Sequence, residues 1–240
     1  MGEVINTTRD GEITTITIDR AGEGNMLNLD MLRALAGAFR DAGASDAKLI
    51  ALRATGNDFC RGRDPRGGKP SPTALDLRSN VIGPIMDVYE AIAGAPQPVI
   101  GAVQGAALGF GCALATACDI TIAADDSRFS LPELEKNFPP TLAISAMMAR
   151  VPRKALTWMV YSTAEIDART ALQLGVVSQV VPKAALAAET NKLMTGLVVR
   201  SREVLIGVKD YMRVGPSMDP RGAADYASTL LAAVMSSTPR

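Results

Sequence analysis

The chain has 240 residues, room for one substantial α/β domain or one such domain with a helical appendage. Hydrophobic residues make up 48% and charged residues 21%, which fits a globular protein with a real core, but aromatics are only 4%, so that core rests on Ala, Val, Leu, Ile and Met. Twenty-five basic and 25 acidic residues give a net charge of zero, so no electrostatic case exists for nucleic acid or an anionic membrane as partner. Histidine is absent, which excludes Ser-His-Asp and Cys-His catalysis and removes the commonest metal ligand. Acid–base chemistry near neutral pH is then left to carboxylates, lysine, tyrosine or cysteine. Cys60, Cys112 and Cys118 are odd in number and fit no metal-site spacing, so they are read as small buried apolar side chains and no metal is expected.

The elements follow in order. Ile13 to Asp19 alternates isoleucine with threonine, the period of a half-buried strand. Ala21 to Asn25 is a loop. From Asn28 or Asp30, either of which suits an N-cap, the spacing of Met31, Leu32, Leu35, Ala38 and Phe39 predicts a helix to Asp41. Leu49 to Ala54 is a buried strand, and Thr55 to Asp58 a turn. Arg61 to Pro72, rich in Gly, Pro, Arg and Lys69, reads as an exposed loop. A helix is predicted over Leu75 to Ala93 and a strand over Pro98 to Val103, leading into a glycine-rich turn. A short helix follows over Ala113 to Ala117, then a strand over Asp119 to Ala124 and an extended piece at Arg128 to Ser130. Thr141 to Arg150 and Lys154 to Val160 read as helices, and Val176 to Val181 as a strand. From Lys183 onward the pattern is helical, interrupted at Gly215-Pro216. The expected organisation is an α/β core over residues 1–185 and a helical C-terminal region over 186–240.

Val99 to Cys118 carries no charge and is long enough to span a bilayer. Its four glycines and Gln104, after Pro96 and Pro98, instead predict strand, turn and helix in succession. No signal peptide is visible at the N-terminus, and a cytoplasmic location is expected.

Two turns carry candidate chemistry. After the second strand, Asn57 to Asp64 makes a tight turn at Gly62 that can leave backbone N–H groups facing a cleft. After the third, Ala102-Val-Gln-Gly-Ala-Ala-Leu-Gly-Phe-Gly-Cys-Ala113 joins a buried strand to a helix start through glycines that allow close backbone approach. Unpaired N–H groups and the partial positive charge of a helix N-terminus make such a turn an anion or oxyanion site. A phosphate loop would need Lys-Ser/Thr after the last glycine, and the dinucleotide glycine spacing is not met.

Seven ordered stretches carry a resemblance: Asn25-Met-Leu-Asn28, Phe59-Cys-Arg-Gly-Arg-Asp64, Ala102-Val-Gln-Gly105 with Gly109-Phe-Gly-Cys112, Cys118-Asp-Ile120, Phe129-Ser-Leu-Pro-Glu133, Ala171-Leu-Gln-Leu-Gly-Val-Val177 and Val181-Pro182. In this order and spacing, over residues 10 to 185, the chain resembles the crotonase superfamily of enoyl-CoA hydratases and isomerases. The resemblance implies an α/β spiral of repeated ββα units, trimers or paired trimers, and coenzyme A thioester substrates. No cofactor is implied beyond the CoA of the substrate.

By position, the resemblance makes the backbone N–H groups of Arg63 and Phe110 the oxyanion hole for a thioester enolate. Backbone donors need no particular side chain, although the family usually has small residues at both positions. Cys60, Arg61, Gly62, Asp64, Gly109 and Gly111 are expected to contact substrate or CoA, and Arg63, Arg61, Arg66 and Lys69 offer charge for the CoA phosphates. Family hydratases use two glutamates. Here one position is Ala113 and the other is Glu133, the expected acid/base. Glu135 would share its face if the segment were extended and point away if helical. One glutamate suffices to move a double bond from the 3 to the 2 position, so Δ3,Δ2-enoyl-CoA isomerisation is favoured. Hydration of 2-enoyl-CoA is the alternative, ahead of thioester hydrolysis or dehalogenation. A non-catalytic acyl-CoA-binding or scaffold member is the reading from outside enzymology. Leu75 to Met86, Met147, Met148 and Trp158 are candidates for the acyl pocket. Lys209 is read as solvated, with the CoA phosphates as its other candidate partner.

Overall fold

In the computed structural model, residues 4–66 and 72–237 are described. The elements, in order, begin with β1 (Ile5–Asp10), β2 (Ile13–Ile18), α1 (Leu29–Ala44) and β3 (Leu49–Ala54). A continuous helical run follows, formed by α2 (Ala74–Leu77), a π turn at Arg78–Ile82 and α3 (Gly83–Gly94). Next come β4 (Val99–Val103), β5 (Ala106–Leu108), α4 (Phe110–Ala117), β6 (Ile120–Ala124) and β7 (Arg128–Ser130). After a 3-10 turn at Pro132–Lys136 lie α5 (Thr141–Met147), α6 (Arg153–Ser162), β8 (Ile166–Asp167), α7 (Ala168–Gln173) and β9 (Gln179–Val181). The chain continues through α8 (Leu186–Val198), α9 (Arg202–Val214) and α10 (Pro220–Ser237), with a 3-10 turn at Gly215–Ser217.

One sheet has the order β1-β2-β3-β4-β6-β9, antiparallel at β1/β2 and parallel from β2 onward. A smaller sheet, β5-β7-β8, stands beside it, parallel at β5/β7 and antiparallel at β7/β8. The parallel strands bury both faces. Ile50, Leu52, Val99 and Val103 join α1, α3 and α4 in the main core, while Leu49, Ala51 and Ile100 pack on Met194 of α8 and Leu205 of α9. Near-continuous apolar runs in β3 and β4 are what two covered faces require.

Local signals explain most boundaries. Asn28 caps α1 by accepting a hydrogen bond from Met31 N. Gly11, at φ +54, occupies the two-residue loop between β1 and β2. The uncharged stretch from Val99 to Cys118 divides into β4, β5 and α4, and no helix among the described residues is long and apolar enough to cross a membrane. Some expectations are revised. Strands β1, β5 and β8 and helix α7 had no sequence reading, α4 begins at Phe110 instead of Ala113, and β9 starts at Gln179, since Val176 and Val177 close the turn after α7.

Lys209 is not solvated. It is 7% exposed, and its ammonium pairs with Asp119 Oδ2 at 2.8 Å and donates to the carbonyls of Ile92 and Gln97 at 2.9 and 3.0 Å. Burial pulls its pKa down, against the opposing charge of Asp119. Asp119 Oδ2 also accepts from Val99 N, so this group ties α9 to the start of β4.

Candidate active site

The Gly62 turn and the Gly109 turn are joined by backbone. Cys60 N donates to Ala106 O and Leu108 N to Cys60 O, both at 3.0 Å, so the segment after β3 lies alongside β5. Gly62 is at φ +112, and Leu108 O lies 3.2 Å from where its Cβ would be. Leu27 clasps the same turn, donating to Gly62 O and accepting from Asp64 N. Arg63 sits inside that clasp. Its N–H has no acceptor among the described residues, and neither does the N–H of Phe110, the first residue of α4. The first N–H groups of a helix lack intrahelical partners, which leaves the Phe110 amide free for a ligand.

A third segment reaches the same place. Gly109 N donates to Ser130 O at 2.9 Å, and the chain then turns through Pro132 and Glu133. A Cβ on Gly109 would stand 2.8 Å from Glu133 Oε1. Glu133 Oε2 is buried and has no hydrogen-bond partner among the described residues. Burial pushes the Glu133 pKa up, while its own backbone N–H and the charge of Lys136 pull it back. A desolvated carboxylate with a raised pKa is suited to taking and returning a proton near neutral pH.

Arg63, Phe110 and Glu133 all line one cavity of about 300 Å³. Arg61, Gly62 and Gly109 line it as well. Cys60, Asp64 and Gly111 do not; they stand behind its wall. Cys60 is fully buried, its thiol pushed up to about 12 by burial. Gly111 is pressed against it so closely that a Cβ would fall 1.9 Å from Cys60 O. Asp64 is 2% exposed and is held by Arg20 at 2.8 Å and by Arg66, with its carboxyl kept well below the usual range by those guanidinium hydrogen bonds. These three residues shape the two turns from behind the cavity wall. Cys112 and Cys118 are also buried, with burial raising both thiols.

Among the positive charges, Arg61 and Arg63 are exposed at the cavity, and Arg61 stands 3.8 Å from Asp58. Arg66 is engaged with Asp64 and Glu23, and Lys69 lies outside the described residues. Glu133 belongs to a 3-10 turn, so Glu135, two residues on, points elsewhere and is exposed. The apolar part of the cavity comes from Ile85 and Tyr89 of α3, Leu108, and Leu142 and Ala143 of α5. Of the acyl-pocket candidates, only the helix around Ile85 contributes. Leu75, Met148 and Trp158 are exposed away from the cavity, and Met147 is core. Tyr89 went unread because it falls on the buried stripe of a helix, where an aromatic signals packing first. Its ring stacks on Phe110 with centroids 5.7 Å apart and an interplanar angle of 26°. The Phe110 side chain is thereby drawn against α3 and leaves the cavity open.

Two turns joined by backbone, each with an amide that has no acceptor among the described residues, thus share one cavity with the Glu133 carboxylate. The sequence profile of the enoyl-CoA hydratase/isomerase family matches residues 8–238, and the chain belongs to that family. It is 32% identical over 194 residues to the mitochondrial enoyl-CoA hydratase domain-containing protein 3 of Homo sapiens, covering 80% of this chain and 64% of that protein. The matches to the mouse and human forms span 65% and 64% of those proteins' length. To the 2,3-dehydroadipyl-CoA hydratase of Escherichia coli (strain K12) it is 31% identical over 185 residues, 76% of this chain and 70% of that one. The crystal structure of an enoyl-CoA hydratase from Mycobacterium smegmatis superposes with a TM-score of 0.91 at 28% identity, covering 97% of this chain and 91% of the other. The fold is therefore the crotonase-like spiral with a helical C-terminal region.

Proposed function

We propose that this protein holds the thioester oxygen of an acyl-CoA on the Arg63 and Phe110 amides and moves a proton with Glu133. As an enolate forms, negative charge develops on that oxygen. Preorganised donors in a water-poor site stabilise it by about 3 kcal/mol each. Arg61 and Arg63, exposed at the cavity, supply positive charge toward the CoA phosphates. Coenzyme A enters only as part of the substrate.

Within this chemistry, the reading supported best is Δ3,Δ2-enoyl-CoA isomerisation. The observation that carries it is that Glu133 is the only carboxylate among the described residues lining the cavity, while Ala113 is buried in α4 without a titratable group. Glu133 takes a proton from C2 of a 3-enoyl thioester. The electron pair delocalises onto the thioester oxygen, and the same carboxyl returns the proton to C4. Hydration of 2-enoyl-CoA is the second reading, favoured by relatives named hydratases. A scaffold without catalysis is disfavoured by the open cavity and by the unpartnered Glu133 oxygen.

Assembly into trimers or paired trimers belongs to the same proposal. Val208 and Met212 on α9, and Leu231 and Met235 on α10, are exposed apolar side chains that a neighbouring subunit would cover. Light scattering of the purified protein tests the assembly.

The activity is tested with a 3-enoyl-CoA and a 2-enoyl-CoA offered separately. Double-bond migration in the first supports the isomerase reading. Turnover of the 2-enoyl substrate with no migration in the 3-enoyl one overturns it in favour of hydration.

A further inference from the structure

The direction of the Arg63 amide is set from behind the cavity, by the loop before α1. Leu27 and Arg63 form a parallel bridge: Leu27 N donates to Gly62 O at 3.1 Å, and Asp64 N donates to Leu27 O at 2.9 Å. In a parallel pairing, the residue whose two neighbours make the bonds sends its own N–H to the opposite side. The bridge therefore turns the Arg63 N–H away from Leu27.

One nitrogen locks that bridge. Arg20 Nη1 donates to Met26 O at 2.6 Å and to Asp64 Oδ2 at 2.8 Å, so it spans the residue before Leu27 and the residue after Arg63. The root of Arg20 is held as well. Its backbone N donates to Asn25 Oδ1 at 2.8 Å, and Asn25 Nδ2 donates to Thr55 O and Asp58 O at 2.8 and 2.7 Å, on the chain leading into the Gly62 turn. Arg66 also binds Asp64, but its other bond goes to exposed Glu23 and none reaches Met26 or Leu27. The Arg20 and Asp64 side chains are 20% and 2% exposed. A buried ion pair is weak ground for stability alone, because apolar groups of similar volume often serve as well. What an apolar pair could not do is tie a backbone carbonyl and a carboxylate to one point.

We infer that Arg20 is a positioning residue for the reaction: through Met26 and Asp64 it fixes the direction of the Arg63 N–H, and so the strength of the oxyanion hole. The inference rests on the enolate reading above. Arg20 itself does not line the cavity. Hydrogen bonds weaken steeply as the donor angle departs from linear, so a misdirected amide is a weakened one. The loss falls where negative charge develops, which is on turnover more than on substrate binding.

The test follows C2 proton exchange of a saturated acyl-CoA in deuterated buffer over a range of substrate concentrations, giving kcat and KM. In Arg20→Met, kcat should fall roughly 100-fold, the size of losing one oxyanion donor, with KM within about threefold of wild type. Asp64→Asn keeps the side-chain shape, weakens the tie to Arg20, and should lower kcat at least about tenfold. Lys209→Met is the control, since it breaks a buried ion pair away from the cavity and should leave kcat within about threefold. A kcat fall of less than about tenfold in Arg20→Met overturns the inference, as does an equal fall in Lys209→Met or a loss that appears only in KM. If Arg20→Met does not fold, Asp64→Asn decides by the same limit. Wild-type exchange together with unimpaired variants overturns the inference and leaves the enolate reading intact. Absence of exchange from the wild-type protein removes the enolate reading and the inference with it.

Discussion

Replacing Gly109 by alanine strikes the point where the Phe110 amide and the Glu133 carboxylate meet. Gly109 has φ +53 and ψ −116, a conformation that L residues rarely adopt. Holding a non-glycine residue in such a region costs about 1–3 kcal/mol. The added Cβ would also lie 2.8 Å from Glu133 Oε1, well inside the 3.4 Å at which ordinary contact begins. The carboxylate or the turn must therefore shift by several tenths of an ångström. Loss of one oxyanion donor is worth roughly 100- to 1,000-fold in rate, and a misplaced reacting group roughly 100-fold. Gly109→Ala should thus lower kcat/KM for acyl-CoA turnover by about 100-fold or more and destabilise the fold by about 1–3 kcal/mol. Gly11 is the matched control: its φ is +54, and a Cβ there meets nothing within 4 Å. Gly11→Ala should show a similar stability loss in urea unfolding with unchanged turnover. Gly109→Ala activity within about threefold of wild type would refute the placement of the donor and the base at this turn, as would an equal loss of activity in Gly11→Ala.

Other perturbations follow from the same contacts. Lys209→Met removes the buried partner of Asp119 and two carbonyl hydrogen bonds, and should lower unfolding stability by about 3–5 kcal/mol; an unchanged urea midpoint contradicts the tethering of α9. Lys136→Ala removes a charge that favours ionised Glu133, so the acid limb of the kcat/KM–pH profile should move to higher pH, and a shift to lower pH counts against Glu133 as the base. Glu133→Gln should raise the melting temperature at neutral pH. The folded-state pKa of Glu133 lies above its ordinary value, so its penalty is absent below the unfolded pKa and grows as pH rises through the folded one. Melts across pH should therefore show the advantage of Glu133→Gln shrinking on acidification, and an advantage that grows instead shows that the carboxylate is stabilised by the fold.

Elements with strong periodicity were legible in the sequence. The alternation in β2, the heptad-like spacing in α1 and the apolar runs of β3, β4 and β6 each reflect a face that must be buried. Strand β1 lacked such a signal because it is an edge strand with four of its six residues exposed. Strands β5 and β8 have three and two residues, and only their partners make them strands. The start of α4 was hidden by Gly109 and Gly111, which read as breakers although they let the helix begin against Cys60. The two turns and Glu133 could be picked out through the ordered family stretches. The choice between Glu133 and Glu135 needed the 3-10 geometry, and Tyr89 needed its stacking partner. Lys209 shows the limit most clearly. A lone lysine reads as solvated, and its partners at positions 92, 97 and 119 come together only in the folded chain.

The central claim is that an enolate forms on the Arg63 and Phe110 amides with Glu133 as the base. Its most direct test follows C2 proton exchange of a saturated acyl-CoA in deuterated buffer by NMR, for wild-type protein and Glu133→Gln. Wild type should incorporate deuterium at C2, and Glu133→Gln should lose that activity by about 100-fold or more. Exchange at equal rates in both proteins, or none in the wild type, contradicts it.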